Sequence, residues 1–537
     1  MVVRMRVRGL TAASLLCLAP GVGAQIVTPG VAEDFLRDTP RITPAPAPVP
    51  NVTPRPAPPA RPKANIQING VTFSGSTLYT QEQLQAIAAP LVKQRMSLAE
   101  INEIAQAVTD RMRSDGYLVA SAVVPAQKIQ QGVVRIDILE GKLDKVRFAG
   151  NQRYSDERLK AYLAPLLGEP VLTNAAMERS LLMLNELPGV TARGNLSPAE
   201  NFGASNLEVD ITERRYRAAL GFNNHGSPEL GRARADASLD IYNPLRIGDH
   251  ANLRLIESQG GLLGLGRLSY DFALAPALRV NLAAARVNYR VAGSLNALDL
   301  SGNSMTREAS LAYAWVRARS TNLTLGTGVR DVRTYQQALG QSLGGTAVRA
   351  GFVNLTGYTT RGGGLTSGVV TMASNGRGQD APGTAGTGIK LKTDMDVTHA
   401  RTIVGDFEIS QRIALTLSPD TLPDTEKFSL GGPDSVRAFP IAQLRGDQGL
   451  LSVTELRRRF KFAGTQSYVG VFFDHGIMEL RQPGLPAARD TLSGAGVTVS
   501  VVHDRLRIKL DYARALGSDA AADGRRSRVW VSGTWLF

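Results

Sequence analysis

From about residue 214 to residue 537 the chain alternates apolar and polar residues with a period of two. Ala235, Ala237, Leu239 and Ile241 are apolar, and the interleaved Arg234, Asp236, Ser238 and Asp240 are polar. The pattern returns in Leu268, Tyr270, Phe272 and Leu274 against Arg267, Ser269 and Asp271, and in Ala309, Leu311, Tyr313 and Trp315 against Glu308 and Ser310. Successive side chains of a strand point to opposite faces, so each segment sets one face in an apolar medium and the other in water. A soluble sandwich also alternates, and length and edges separate the two cases. Residues 214–537 number 324, which at ~20 residues per strand and connection gives roughly sixteen strands of spanning length. A sheet of that size in lipid must close, because an open edge leaves unpaired amides without water. No stretch after residue 24 offers the ~18 uninterrupted apolar residues of a spanning helix. The expected fold is therefore a transmembrane β-barrel of about 16 antiparallel strands over 214–537.

The first 24 residues read as an export signal. Arg4, Arg6 and Arg8 precede an apolar run from Leu10 to Leu18, and Val22-Gly23-Ala24 precede Gln25. The single cysteine of the chain, Cys17, lies inside this segment, so the exported part is expected to carry no disulfide, thiol nucleophile or cysteine metal site. Formal charge is +14, from 61 Lys and Arg against 47 Asp and Glu, and loss of three arginines with no acid lowers it to +11. The arginines are spread along the chain, which with export argues against nucleic acid as a partner.

Ten of the 28 prolines fall between Pro40 and Pro62, in runs such as Pro44-Ala45-Pro46-Ala47-Pro48. Such a stretch lacks backbone donors and favours extended polyproline geometry, the mark of a semi-rigid spacer. Residues 25–63 thus form a linker segment, with two turns of helix expected at Val31 to Arg37. Past it the sequence repeats itself: Val71-Thr72-Phe73-Ser74-Gly75-Ser76 returns as Val146-Arg147-Phe148-Ala149-Gly150-Asn151, 75 residues on. Each copy is followed by two helical stretches and two strands. In the first, helices are expected at Gln81 to Ala88 and Ser97 to Ser114 and strands at Tyr117 to Val124 and Val133 to Leu139. In the second, the helices are Ser155 to Leu163 and Asn174 to Leu187, and the strands Val190 to Asn195 and Asn206 to Thr212. This β-α-α-β-β unit resembles the POTRA (polypeptide-transport-associated) domain, giving two periplasmic α/β domains at 64–140 and 141–213. In that fold an exposed sheet edge accepts an extended client chain as a further strand.

Two stretches break the barrel pattern. Phe428-Ser429-Leu430-Gly431-Gly432-Pro433-Asp434-Ser435-Val436-Arg437-Ala438-Phe439 interrupts the alternation with two adjacent glycines, which permit a tight excursion. Phe472-Phe473-Asp474-His475-Gly476 places a carboxylate where an apolar strand approaches its turn. These resemble two signatures of the outer-membrane barrel superfamily with POTRA domains. One is the tip of an inward-folded sixth loop, here around 428–450 with Gly431, Gly432, Val436, Arg437 and Phe439. The other is a strand motif, here Phe472, Asp474 and Gly476. The resemblance implies that Arg437 pairs with Asp474 and pins the loop inside the barrel, a fit of guanidinium to carboxylate that lysine cannot match. Ala438 stands where that superfamily has glycine, which puts the backbone of the tip in question. The last segment, with Val529, Val531, Gly533, Trp535 and Phe537 on one face, is similar to the terminal strand that outer-membrane assembly machinery reads, so Trp535 and Phe537 are the expected assembly signal.

Gly116-Tyr117-Leu118-Val119-Ala120-Ser121-Ala122-Val123-Val124-Pro125-Ala126-Gln127, with Gly132-Val133-Val134-Arg135-Ile136 and Glu140-Gly141, is similar to the first POTRA domain of TpsB transporters of two-partner secretion. Leu184-Asn185-Glu186-Leu187-Pro188-Gly189-Val190 resembles their second, and Asn243-Pro244-Leu245-Arg246-Ile247-Gly248-Asp249 the turn after their second barrel strand. The resemblance, to the hemolysin/adhesin secretion-activation family, covers essentially the whole exported chain. It implies an outer-membrane translocator of a Gram-negative bacterium, which takes an unfolded TpsA-type exoprotein by its amino-terminal secretion domain and passes it through the barrel. The implied partners are that client, the barrel assembly machinery and outer-membrane lipid. The short amino-terminal helix would be a pore plug. An assembly factor of the same superfamily stays open as an alternative, and a passive porin-like channel would not need two POTRA repeats.

No enzymatic activity is expected. Gly340-Gln341-Ser342-Leu343-Gly344 fits G-x-S-x-G but lies between barrel strands, without the strand-turn-helix setting that arms such a serine. His225, His250, His399, His475 and His503 are scattered with no ligand spacing, and no nucleotide motif is present, so no metal or cofactor is expected.

Overall fold

The apolar stripe of one helix sets the first module. In the computed structural model, which describes residues 28–33, 51–52, 66–201, 203–375, 391–482, 484–517 and 521–537, the expected export signal and most of the proline-rich linker lie outside the described residues. Two described pieces precede the modules: helix α1 (Pro29–Glu33) and strand β1 (Asn51–Val52). Of the expected helix at Val31 to Arg37, residues 34–37 lie outside the described residues, and α1 begins two residues earlier, at Pro29, where a fixed φ favours a helix start.

The first module runs β2 (Ile66–Gln67), β3 (Gly70–Ser74), α2 (Gln81–Ala88), β4 (Arg95–Met96), α3 (Leu98–Ser114), β5 (Ser121–Val123) and β6 (Val133–Leu139). Ser97 and Glu100 form a reciprocal capping box at the start of α3, which satisfies donors the first turn leaves free. Ile101, Ile104, Ala105, Val108 and Met112 then fall on one helical face, all buried against Val134, Ile136 and Ile138 of β6. The sheet order is β3-β6-β5, with β3 parallel to β6. Only Ser121–Val123 of the expected strand at Tyr117 to Val124 pairs. Its first residues close the end of α3 instead, with the Tyr117 amide donating to the Met112 carbonyl after Gly116 at φ 98°.

The second module repeats the plan with β7 (Lys142–Ala149), α4 (Asp156–Tyr162), a one-turn α5 (Ala164–Leu167), α6 (Asn174–Asn185), β8 (Val190–Pro198) and β9 (Ala204–Glu213). Leu159, Leu163, Met177, Leu181 and Leu184 bury against Val209 and Ile211. The repeated glycine has one cause in both copies. Gly75 (φ 84°) and Gly150 (φ 85°) turn the chain against the next strand, where a Cβ would stand 2.8 Å from the Ile138 carbonyl oxygen and 2.4 Å from that of Ile211. The sheet order here is β1-β8-β9-β7: the linker strand β1 lies parallel on the free edge of β8, with Asn51 opposite Asn195 and Val52 opposite Leu196.

The rest is a closed barrel of sixteen antiparallel strands. Its first eleven are β10 (Tyr216–Asn223), β11 (Arg234–Tyr242), β12 (His250–Ser258), β13 (Leu263–Ala275), β14 (Leu278–Arg290), β15 (Ser301–Ala318), β16 (Thr321–Ala338), β17 (Gln341–Thr359), β18 (Leu365–Ser374), β19 (Lys392–Val404) and β20 (Phe407–Leu417). A hairpin of β21 (Phe428–Leu430) and β22 (Leu444–Gly446) leaves the wall, and β23 (Gln448–Phe462), β24 (Thr465–Leu480), β25 (Ala488–His503), β26 (Leu506–Ala515) and β27 (Ser527–Leu536) complete the cylinder. Closure comes from β10 against β27, Ala219 opposite Leu536 through Asn223 opposite Ser532. Outward-facing Val329, Val353, Leu268, Trp315 and Phe473 are exposed, as a lipid-facing wall requires. Gly340 closes the turn between β16 and β17 and Gln341 to Gly344 begin β17, a strand-turn-strand setting with no helix after the serine.

The second module is fastened to the barrel mouth at two turns. The Arg153 guanidinium donates to the Asn243 carbonyl at 2.5 Å and Arg158 to that of Ile247 at 2.7 Å. On the other side Glu186 pairs with Arg317, and Glu178 accepts from the Arg319 amide. The 243–249 turn is held from within by Asp249, which is fully buried and accepts from Tyr270 at 2.8 Å. Because each module carries its own core, Ile104→Ala should destabilise the first by ~2–5 kcal/mol. Limited proteolysis should cut it earlier, while the heat-modifiable gel mobility of the barrel stays as in the parent.

Candidate functional site

Between β20 and β23 the chain turns into the lumen. Gly431 and Gly432 hold φ of 104° and 105°, conformations open to glycine, and send the tip back across the barrel. Val436, Ala438 and Phe439 are fully buried there, packed with Phe472, Leu492 and Ala513 of the wall. The wall is cut to fit. A Cβ on Gly476 would stand 2.6 Å from Leu430, and one on Gly494 2.7 Å from the Ala438 methyl, so missing side chains on β24 and β25 form the bed of the loop. Ala438 is not among the residues with positive φ, and the left-handed backbone of the tip falls on Ala442 at 54°. The methyl at 438 therefore needs a glycine across from it at 494, not at its own position.

Arg437 lies at the centre and is 2% exposed. Its Nε donates to Asp474 Oδ2 at 2.8 Å and its Nη2 to Oδ1 at 2.6 Å, a two-pronged pair, and its backbone amide adds a third bond to the same carboxylate at 3.0 Å. Nη1 reaches Glu455 at 2.5 Å and Asp511 at 3.5 Å. The guanidinium lies over the Phe472 ring, 3.3 Å from its centroid. Trp530 of the last strand donates from Nε1 to the Arg437 carbonyl at 2.7 Å and meets His225 edge-on at 5.8 Å. The three carboxylates face three cations, since Arg457 pairs with Glu455 and Lys509 with Asp511 at 2.9 Å.

The base of the loop is held by a second cluster. Glu426, buried, accepts from Arg330 Nη2 at 2.7 and 2.9 Å and from Lys392 Nζ at 3.1 Å, which ties the loop to β16 and β19. Two residues earlier, Asp424 accepts from the Gly30 amide of α1 at 2.6 Å and pairs with Arg445. Val31 is buried with Ile256, Leu265, Val287 and Ala442, so α1 packs on the inner wall beside the loop. Between these elements lies a cavity of about 1080 Å³ lined by Arg254, Arg267, Arg412, Asp394, Asp396 and Glu308 among others.

The structure thus brings Arg437, Asp474, Phe472, Val436, Phe439, Gly431, Gly432 and Gly476 into one buried constellation. Trp535 and Phe537 stand apart on the outer wall, 44% and 53% exposed. Asp474 lies in the middle of β24, six residues before its end at Leu480, and not at the turn. The strand is longer than its apolar run because its inward positions serve the loop and not lipid. Glu455, Asp511, Trp530 and Glu426 are absent from the sequence reading. For Glu455, Asp511 and Trp530 the only signal is a charged or polar-tipped residue at an inward position of an alternating strand, which many lumen residues share, and Glu426 lies in a helical turn between β20 and β21 with no periodic signal at all.

Removing Arg437 leaves three carboxylates around a vacated charge, a change of ~3–5 kcal/mol for a broken buried pair. With Trp315 and Trp535 replaced by Phe, the emission of Trp530 should shift to the red in Arg437→Ala, as the tip lifts away and water reaches the indole. Gly494→Val should give the same shift by pushing on Ala438. Unchanged emission in both variants would show that the tip is held by other contacts.

Comparison with known proteins identifies the family and the fold. A family model for haemolysin secretion/activation proteins ShlB/FhaC/HecB matches residues 203–501, and one for the ShlB-type POTRA domain matches residues 66–141. The Heme/hemopexin transporter protein HuxB of Haemophilus influenzae is 25% identical over 417 residues, 74% of this chain and 73% of the relative. The outer membrane transporter CdiB of Escherichia coli is 24% identical over 406 residues, 71% of this chain and 67% of the relative. The solved structure of CdiB from Escherichia coli superposes with a TM-score of 0.71 at 19% identity, covering 91% of this chain and 94% of that one, a likeness of fold. The chain belongs to the ShlB/FhaC/HecB family of TpsB-type outer-membrane transporters, with its barrel in the outer membrane and its POTRA domain in the periplasm.

Proposed function

We propose that this protein takes an unfolded TpsA-type exoprotein from the periplasm by its amino-terminal secretion domain and passes it through the barrel to the cell surface. The observation that carries the reading is that the lumen holds two elements outside the strand ladder of the wall, the loop with its self-paired β21–β22 hairpin and α1, seated mainly through side chains. A lumen filled this way can be cleared without breaking the barrel wall. The second module supports the first step. Its β8 edge already holds an extended segment, the linker strand β1, so the edge takes an added strand in parallel register. A client strand that displaces β1 frees the linker joined to α1, and docking at the module is thereby coupled to release of the plug.

In this reading the Arg437–Asp474 pair fixes the conducting arrangement of the loop. Residues 25–63 serve as plug and linker, 64–140 and 141–213 as the two client-reading POTRA domains, and Trp535 and Phe537 as the signal read by the barrel assembly machinery. The lumen wall, polar and arginine-bearing, suits an extended polypeptide with its backbone solvated. Direction is supplied by folding outside, since no nucleotide-binding motif is in the sequence. Relatives are named as a heme/hemopexin transporter and as an outer membrane transporter, and the class of cargo proposed for this chain is a large exported polypeptide, without catalysis by the transporter.

Arg437→Ala should abolish secretion of the client while the barrel remains inserted and heat-modifiable, and Arg437→Lys should restore little of it, because an ammonium lacks the two-pronged fit. Normal secretion by Arg437→Ala would sink the assigned role of the pair. Depletion of the protein should remove one large secreted protein. A fall in many outer-membrane proteins at once would favour the assembly-factor reading.

A further inference from the structure

Five arginines point outward from the barrel towards one rim, on four consecutive strands. Arg286 and Arg290 of β14, Arg307 of β15, Arg333 of β16 and Arg349 of β17 are all exposed, at positions that alternate with buried inward residues such as Val287, Val332 and Val348. The ladder puts Arg307 opposite Asp331 and Asp331 opposite Arg349, and the next row towards the strand tips joins Arg286, Met305 and Arg333. Asp331 answers two of them, Arg333 at 3.0 Å and Arg349 at 2.9 Å. Among the described residues Arg286, Arg290 and Arg307 make no ion pair with a carboxylate. A further acid on this outer face is Glu257 of β12, across Gly264 from Asn288. Elsewhere near the same rim, arginines have local partners: Arg481 and Arg489 share Glu479, and Arg528 takes Asp523.

The height of this patch is set by what lies below it. The second module docks on the turn between β15 and β16 at Arg319, so the patch is on the far side of the membrane from the POTRA domain. On β15, Tyr313 and Trp315 mark the periplasmic end of the apolar wall. Arg307 is eight residues further on, a rise of about 20 Å for a tilted strand, close to the ~25 Å height of an outer-membrane apolar band. Between the two run exposed Leu311, Leu282, Leu325, Val329 and Val353.

We propose that this face is a binding site for a phosphorylated acyl glycolipid of the outer leaflet, of the lipid A class. Its acyl chains would lie on the Leu282, Leu311, Val329 and Val353 surface, and its sugar phosphates would meet Arg286, Arg307 and Arg333 above. Guanidinium forks fit phosphate oxygens with paired hydrogen bonds, and a boundary position strengthens such pairs relative to open water. The spread over four strands matches a head group with more than one phosphate. A single-phosphate lipid would use only part of it.

The test uses the full-length protein in detergent micelles, titrated with purified lipid A and read by native mass spectrometry. Lipid A should be retained by the parent and by Arg458→Gln, an outward arginine near the opposite rim. It should bind at least tenfold more weakly to the Arg286→Gln, Arg307→Gln, Arg333→Gln triple variant with unchanged heat-modifiable mobility. Dephosphorylated lipid A, phosphatidylglycerol and inorganic phosphate should each bind the parent at least tenfold more weakly than lipid A. Equal retention by the triple variant, or equal binding of any of those three probes, would overturn the site. If the triple variant fails to insert, the comparison of lipid A with its dephosphorylated form on the parent protein decides.

Discussion

Backbone amides in lipid have no water to pair with, and every larger feature of this molecule follows from meeting that demand with strands. Sixteen strands pair in series and β27 returns to β10, so no edge is left open within the apolar band. Closure creates an inside. Once the inward face of each strand looks onto an enclosed polar space, charged groups such as Arg437, Asp474, Glu455 and Asp511 can be gathered there at high density. On an open sheet they would be solvated and weakly coupled; here they are buried, each carboxylate within 2.5 to 3.5 Å of the Arg437 guanidinium.

That geometry makes the loop tip a junction of several strands. Asp474 belongs to β24, Glu455 to β23, Asp511 to β26, and Trp530 to β27, whose far side is the closing seam. One arginine therefore reads the relative positions of four strands at once, three through its guanidinium and β27 through its backbone carbonyl. The glycine bed at 476 and 494 adds shape to charge, so seating the tip requires both the ion cluster and the Leu430 and Ala438 contacts. The second cluster at Glu426 keeps the base of the loop on the opposite wall, against β16 and β19.

Much of this architecture was legible in the sequence because it depends on local periodicity. Alternation at 235–241, 268–274 and 309–315 reports a two-faced strand irrespective of its neighbours, and the glycines at 75 and 150 report a repeated turn. The pairing of Arg437 with Asp474 came from resemblance to a known loop and strand signature, and spacing alone does not contain it. Glu455, Asp511 and Trp530 were not legible, because barrel curvature brings together residues that are 18, 74 and 93 positions from Arg437. The concern about Ala438 looked for strain in the residue's own backbone, whereas the accommodation lies in Gly494, on a different strand. The expected strand at Tyr117 shortened because the end of α3 uses those amides first.

The two-point attachment of the second module to the turns at 243–249 and 317–319 fixes where its β8 edge stands beneath the pore. Under the proposed function, a polypeptide held on that edge would not be free to wander in the periplasm. It would be presented to the entrance at a local concentration set by a rigid distance, and the next segment would meet the pore as an intramolecular event. Stiffness of the joint, more than tightness of the grip on the cargo, would then govern how often the passage is entered.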